Sequence, residues 1–79
     1  MRKYSIREIL NKLKWHPDYD FSKVQVICFD RFGGNFEIDA KEIDKIGHKF
    51  IYLKNGKVIP HHRVIEIRHA GEIVWVKLR

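Results

Sequence analysis

Cys28 is the sole cysteine of a 79-residue chain, which removes the two staples on which very small domains commonly rely, a disulfide framework and a multi-thiolate zinc site. Stability has to come from packing one apolar core, and at this length folding buries only about 60–65% of the surface the unfolded chain exposes. The expectation is a single domain over residues 1–79. An apolar fraction of 44% beside 33% charged residues is globular composition, not that of a disordered segment. No apolar run approaches the roughly 18 residues of a membrane span. Met1-Arg2-Lys3-Tyr4 leads into a charged, helix-patterned segment and not into an apolar leader, so a cytoplasmic protein is expected. The lack of Thr, the lone Gln and the eleven Ile follow the bias of heat-adapted proteins and point to a thermophilic source.

Ser5-Ile6-Arg7-Glu8 has the S-x-x-E form of a capping box, and Ile6, Ile9, Leu10 and Leu13 follow at the spacing of one helix face, which predicts a helix over about 5–14. Pro17 cannot continue it. Residues 23–30 (KVQVICFD) read as a strand that turns through Phe32-Gly33-Gly34-Asn35 into a second, short strand at about 36–39. Asp39 to Gly47 has an acidic start, Ile43 and Ile46 three apart and a glycine stop, so one or two helical turns are expected there. Residues 49–54 and 57–59 flank Asn55-Gly56, a preferred type I′ hairpin loop with both positions at positive φ. Pro60 requires an edge position or a bulge. The strand resumes at 64–67, and a last one follows at 73–76 beyond the His69-Ala70-Gly71-Glu72 turn. The class is α+β: an N-terminal helix on a curled antiparallel sheet of about five strands, with a short second helical segment.

The net charge of +6 is unevenly placed, with seven Lys/Arg against six Asp/Glu in residues 1–40 and nine against four in 41–79. From Lys45 to Ile65 there is no carboxylate, while Lys45, Lys49, Lys54, Lys57, Arg63, His48, His61 and His62 all fall there. This suits an anionic partner, although a solvated basic surface has the same composition.

Ile9-Leu10-Asn11-Lys12-Leu13-Lys14-Trp15-His16-Pro17, then Asp30-Arg31, then Ile59-Pro60-His61-His62-Arg63-Val64, and finally Gly71 and Trp75 together resemble the RNA cyclic group end-recognition domain family of small archaeal proteins. The resemblance keeps the family's order and spacing over nearly the whole chain. It implies a module that binds RNA ends bearing a cyclic phosphate, found alone in archaea and elsewhere attached to RNA-repair or phosphodiesterase domains. In the family's I-P-aromatic-H-R-[IV] motif the matching residues are Ile59, Pro60, His62, Arg63 and Val64, with His61 where an aromatic is common.

The residues themselves allow two readings at most positions. Arg63 can fork onto two phosphate oxygens and His62 can donate near neutral pH, provided that the Pro60 kink disturbs the pleat that would otherwise send them to opposite faces. Alternatively His62 is a core histidine and Arg63 a partner for Asp30. His61, Arg31, Lys54 and Lys57 complete the candidate phosphate contacts. Trp15 beside His16 is either the plug at the end of an amphipathic helix or a base platform. Phe50, Tyr52 and Trp75 read as core, with one exposed aromatic as the alternative. No residue spacing supports a metal site, and no cofactor is called for. The partner expected is a single-stranded RNA end, with no membrane. The alternatives are a small RNA phosphodiesterase using His61 and His62 as acid and base, and a basic DNA-coating protein. Cys28, in mid-strand, reads as inert core.

Overall fold

Both halves of the capping box form: the Glu8 N–H donates to Ser5 Oγ at 3.1 Å and the Ser5 N–H to Glu8 Oε1 at 2.8 Å. The helix they open, α1, runs Ile6–Trp15 and buries Ile6, Leu10 and Leu13. It stops at His16, held at φ −77°, ψ 129°, the extended conformation imposed on a residue before proline. These features come from a computed structural model that describes residues 5–77; the N-terminal stretch Met1 to Tyr4, read above as lacking an apolar leader, lies outside the described residues.

Seven strands follow: β1 (Val24–Asp30), β2 (Gly34–Asp39), β3 (Ile43–Ile46), β4 (Phe50–Leu53), β5 (Val58–Pro60), β6 (Val64–His69) and β7 (Glu72–Val76). The class is α+β as the sequence reads, but the strands divide into two antiparallel sheets, in the orders β2-β1-β6-β7 and β3-β4-β5. Cross-strand pairing lines up Ile38, Val26, Ile67 and Trp75 in one row across the first sheet. This row faces Ile43, Ile51, Leu53 and Ile59 of the second sheet and the buried side of α1 in a shared core. Cys28 is fully buried in it, and burial raises its thiol to about 11, so it is the inert core residue expected.

The chain passes between the sheets twice, each time through a three-residue 3₁₀ turn. Ala40–Glu42 joins β2 to β3 and His61–Arg63 joins β5 to β6. The helical segment expected over Asp39 to Gly47 is thus one short turn followed by a strand. Its helix-like spacing has a specific cause: the register slips between Ile43 and Lys45, and the extra residue, Asp44, brings Ile43 and Ile46 to the same face. The same device acts in β6, where a shift opposite Ile27 and Cys28 lets Val64 and Ile67 both point inward.

Pro60 sits where its chemistry requires. The neighbouring His61 N–H donates to Lys49 O at 2.8 Å across the ladder, so position 60 directs its nitrogen away from β4, toward the free edge of β5. The Asn55-Gly56 turn differs from the expected type I′. Gly56 alone is left-handed, at φ +93°. The Gly56 N–H donates to Leu53 O at 3.0 Å, the Leu53 N–H to Lys57 O at 2.9 Å, and the Lys57 N–H to Asn55 Oδ1 at 2.9 Å. The side-chain bond from Asn55 favours this tight turn closed by a left-handed glycine.

The two-residue loop with positive φ at both positions lies instead between β6 and β7, at Ala70 (φ +52°) and Gly71 (φ +85°). Ala70 carries a Cβ in a region that costs an L-residue roughly 1–2 kcal/mol. Ala70→Asn and Ala70→Gly are therefore expected to stabilise the protein by about 0.5–1 kcal/mol. The denaturant midpoint should rise at unchanged slope; a fall for both variants would show that the Ala70 methyl, and not its backbone, dominates.

Candidate nucleic-acid interface

The β1–β2 and β4–β5 hairpins flank an open groove of about 640 Å³. Asp30, Gly33, Gly34, Phe36, Glu37 and Ile38 line one side, and Leu53, Asn55, Lys57, Val58, Ile59 and Pro60 the other. The two sheet-crossing turns each send their last residue into it, Glu42 from the first and Arg63 from the second. The groove therefore carries two cations, Lys57 and Arg63, among three carboxylates, Asp30, Glu37 and Glu42. Two of the carboxylates already accept backbone hydrogen bonds: Asp30 Oδ1 from the Phe32 N–H at 3.0 Å, and Glu42 Oε2 from the Asp39 N–H at 3.2 Å. Among the described residues Arg68 pairs with Glu66, while His16 Nδ1, 3.7 Å from Asp18 Oδ2, would form an ion pair there only if protonated. Arg63 and Asp30 thus both line the groove without forming the pair considered above.

Pro60 does break the pleat, and the 3₁₀ turn that follows sends three consecutive side chains in three directions, since such a turn has three residues per revolution. Arg63 is half-buried and lines the groove; His62 is exposed and does not line it, so it is not the core histidine considered as the alternative. Its carbonyl oxygen accepts from Lys77 Nζ at 2.7 Å. His61 is the half-buried one, its Nε2 enclosed without a protein hydrogen-bond partner. Burial is the main influence holding its imidazole below the ordinary value of 6.5, the Arg7 charge on α1 acting in the same direction and a Phe50 backbone hydrogen bond opposing both. A neutral ring packed between elements is the part an aromatic would play at this position.

The remaining candidates fall in two places. Arg31 and Lys54 belong to the turns whose neighbours line the groove, and Arg31 lies 5.6 Å from the Phe32 ring centre. Trp15 and His16 sit at the end of α1 and do not line the groove. Trp15 is 76% exposed, with Lys14 Nζ 5.5 Å from its ring, so it does not plug the helix end. His16 Nδ1 accepts from the Asp18 N–H at 3.1 Å, and its ring meets Tyr19 edge-on. Of the three aromatics read as core, Trp75 is half-buried and packs against the core cluster, whereas Tyr52 is half-buried outside it and Phe50 is exposed. The sequence reading passed over Phe32, 91% exposed at the β1–β2 tip, as well as Glu37 and Glu42. An aromatic between Arg31 and a glycine pair in a turn was the available signal for Phe32. Nothing in the sequence marks the two carboxylates, which meet the groove only through the fold. Among the described residues no group of three His, Cys, Asp or Glu is placed to hold a metal ion, and no helix is long and apolar enough to cross a membrane.

Since His61 is protonated less readily folded than unfolded, the unfolded chain binds more protons between the lowered value and 6.5. Stability from this group is present above 6.5 and is lost as pH falls through the folded value. His61→Phe should therefore gain on the parent chain progressively as pH falls, the other histidines cancelling in the comparison. Paired thermal melts from neutral to acid pH check this; a gap between the two that does not change with pH would mean that the ring is solvated.

The chain is similar to known proteins along almost its full length. The family model described as the MJ1316 RNA cyclic group end recognition domain matches residues 1–77. A UPF0248 protein of Archaeoglobus fulgidus is 50% identical over 66 residues, covering 84% of this chain and 96% of the relative. A UPF0248 protein of Metallosphaera sedula is 38% identical over 71 residues, covering 90% of each. The UPF0248 protein MJ1316 of Methanocaldococcus jannaschii is 37% identical over 79 aligned residues, covering 94% of this chain and 95% of the relative. No solved structure matches. With a match of this extent, and with the Ile59-Pro60 to Arg63-Val64 motif forming the crossing that builds the groove, the chain belongs to the MJ1316 RNA cyclic group end recognition domain family.

Proposed function

We propose that this protein is an RNA-binding module that takes the end of a single-stranded RNA, with the terminal phosphate in the groove between the two hairpins, held by Arg63 and Lys57. The observation that carries the reading is Arg63 itself: a half-buried guanidinium lining a groove, outside the ion pairs found among the described residues. A planar fork of donors in that position fits two oxygens of one phosphate group. Asn55 adds an amide beside Lys57, while Arg31 and Lys54 on the flanking turns supply charge for the adjoining backbone. His62, exposed next to Arg63 in the chain, is a contact for RNA beyond the end. The family's description names the same ligand chemistry, which supports the reading, and we place the protein in cytoplasmic RNA processing or repair.

The mixed charge of the groove favours one kind of end. A 2′,3′-cyclic phosphate carries one negative charge, whereas a terminal monoester approaches two at neutral pH. The Arg63 fork and Lys57 reward a phosphate over a hydroxyl, while Asp30, Glu37 and Glu42 add a repulsion that grows with the charge of the end, so the groove prefers the cyclic monoanion to its open, dianionic competitor. Binding is favoured over ring opening because general acid–base catalysis needs its groups within hydrogen-bond reach of the reacting phosphate. Neither His61 nor His62 lines the groove with Arg63.

Titration of one RNA sequence bearing cyclic-phosphate, 3′-phosphate and 3′-hydroxyl ends tests this directly. The cyclic end should bind best, its product should not be ring-opened, and the salt slope should be roughly −2 to −4 on a log–log scale. Arg63→Lys should weaken binding of the cyclic end by about 1–3 kcal/mol, since lysine keeps the charge but not the fork. Glu37→Gln should bring 3′-phosphate binding closer to that of the cyclic end. Equal affinity for all three ends, or for duplex DNA, overturns the reading, and ring opening lost in His62→Ala would make the protein a phosphodiesterase.

A further inference from the structure

The outer face of the β3-β4-β5 sheet is not explained by the groove. Pairing places Lys45, Tyr52 and Val58 in one row and Phe50 beside Pro60 in the next, while Ile51, Leu53 and Ile59 on the opposite face go to the core. Phe50 is 39% exposed and Val58 46%, so neither is covered as a core residue would be. The Phe50 and Tyr52 ring centres are 6.5 Å apart and the rings are tilted by 53°. Lys45 Nζ stands 5.3 Å from the Tyr52 ring centre. Gly47 leaves room for that ring: a Cβ there would come within 2.9 Å of Tyr52 Cε2. The Gly47 N–H donates to Phe50 O at 2.8 Å, so the turn that seats one ring is tied to the backbone of the other. Two aromatic groups on a solvent face, one of them seated over a glycine, form a stacking surface and not a leftover of the core.

The charge around the face identifies the occupant. Lys45, His48, Lys49, Lys54 and Lys57 all come from the stretch 45–65, which holds no carboxylate; Asp44 lies just ahead of it, in the β3 bulge. Aromatic faces set among lysines without sequence-reading side chains suit the bases and phosphates of a single strand. Val58 and Pro60 belong both to this face and to the groove wall, so one strand can cross the edge at β5 without leaving the protein.

We propose that the nucleotides preceding the bound RNA end stack on Phe50 and Tyr52 across the outer face of the three-stranded sheet, with Lys45, Lys49 and Lys54 on their phosphates. The proposal rests on the end-binding reading for the direction in which the strand runs. It makes the protein a reader of an end together with its single-stranded approach, tolerant of sequence, and explains how a shallow groove acquires useful affinity for one terminal group.

The test measures binding of the full chain to RNAs ending in a 2′,3′-cyclic phosphate and growing from a mononucleotide to an octamer. Affinity should rise by roughly tenfold or more over the first few nucleotides. Phe50→Ala should lower octamer affinity by roughly five- to hundredfold while leaving the mononucleotide within about twofold. Phe50→Trp, which keeps the stacking surface, should retain octamer binding, and 5-iodouridine placed next to the terminal nucleotide should crosslink to Phe50 or Tyr52. Affinity that does not grow with length, or a gain with length that Phe50→Ala leaves intact in a folded variant, overturns the proposal and frees this face for a different partner. Failure of the end reading looks different: cyclic and 3′-hydroxyl octamers would bind equally, yet the Phe50 effect on long RNAs would persist.

Discussion

Two sheets share one core, so the chain must change sheets twice without burying an unpaired backbone. Both passages use a three-residue 3₁₀ turn, Ala40–Glu42 and His61–Arg63, closed by the N–H of the following residue on the first carbonyl. Each is followed by a buried branched residue, Ile43 or Val64, that re-enters the core at once. The turns are fixed from inside by these anchors, and their polar ends have nowhere to go but outward, into the cleft between the sheet edges. Glu42 and Arg63 both line it because each closes a crossing turn that packs against β1. The groove is thus a consequence of the two-sheet architecture, and function is left to choose which side chains stand in it.

The same architecture explains which parts of the molecule the sequence reveals. The helix is legible because its signals are local: a capping serine with Glu8 three residues on, one apolar stripe and a proline stop. β1 and the two hairpins around Gly34 and Gly56 are legible for the same reason. β3 is not, because its bulge at Asp44 converts period two into the i, i+3 spacing that also marks a helix face. The faces of β4 are hidden differently: Phe50, Ile51, Tyr52 and Leu53 are apolar without interruption, so alternation exists but periodicity cannot say which half turns inward. Burial of Ile51 and Leu53 settles it. Of the site, Arg63 and Lys57 could be named from the sequence. Glu37, Glu42 and the exposure of Phe32 depend on register and on which turns meet, information spread over distant parts of the chain.

His61 and His62 show how much depends on one break in a strand. In a continuous strand they would lie on opposite faces, one in and one out. The turn after Pro60 instead rotates each residue away from the next, and the outcome separates three chemistries. His61 becomes a neutral packed ring beside Arg7, His62 an exposed donor, and Arg63 a groove cation. A proline at the sheet edge is inexpensive, since the N–H it lacks would have pointed off the ladder. It also denies a second strand one of the donors it would need for edge pairing. The same residue therefore ends β5, starts the crossing and keeps the edge beside the groove from becoming a docking strand.

Charge is divided between the groove and the neighbouring sheet face in a way that net charge alone conceals. The excess of +6 would bind any polyanion if it were spread evenly, with affinity but little discrimination. Here the carboxylate-free stretch supplies most of the β3-β4-β5 sheet, with Asp44 in the β3 bulge the one acid of its strands, whereas the groove receives acids from β1, β2 and the first crossing turn. On the proposed reading the two surfaces have different tasks. The lysine-rich face contributes attraction that does not depend on the nature of the end. The groove contributes little attraction but a steep dependence on how many charges the end carries, because each further negative charge meets Asp30, Glu37 and Glu42 as well as Arg63. Affinity and specificity then come from separate surfaces that meet at β5, and strengthening the groove by removing its acids would raise affinity for every phosphate end while erasing the difference between them.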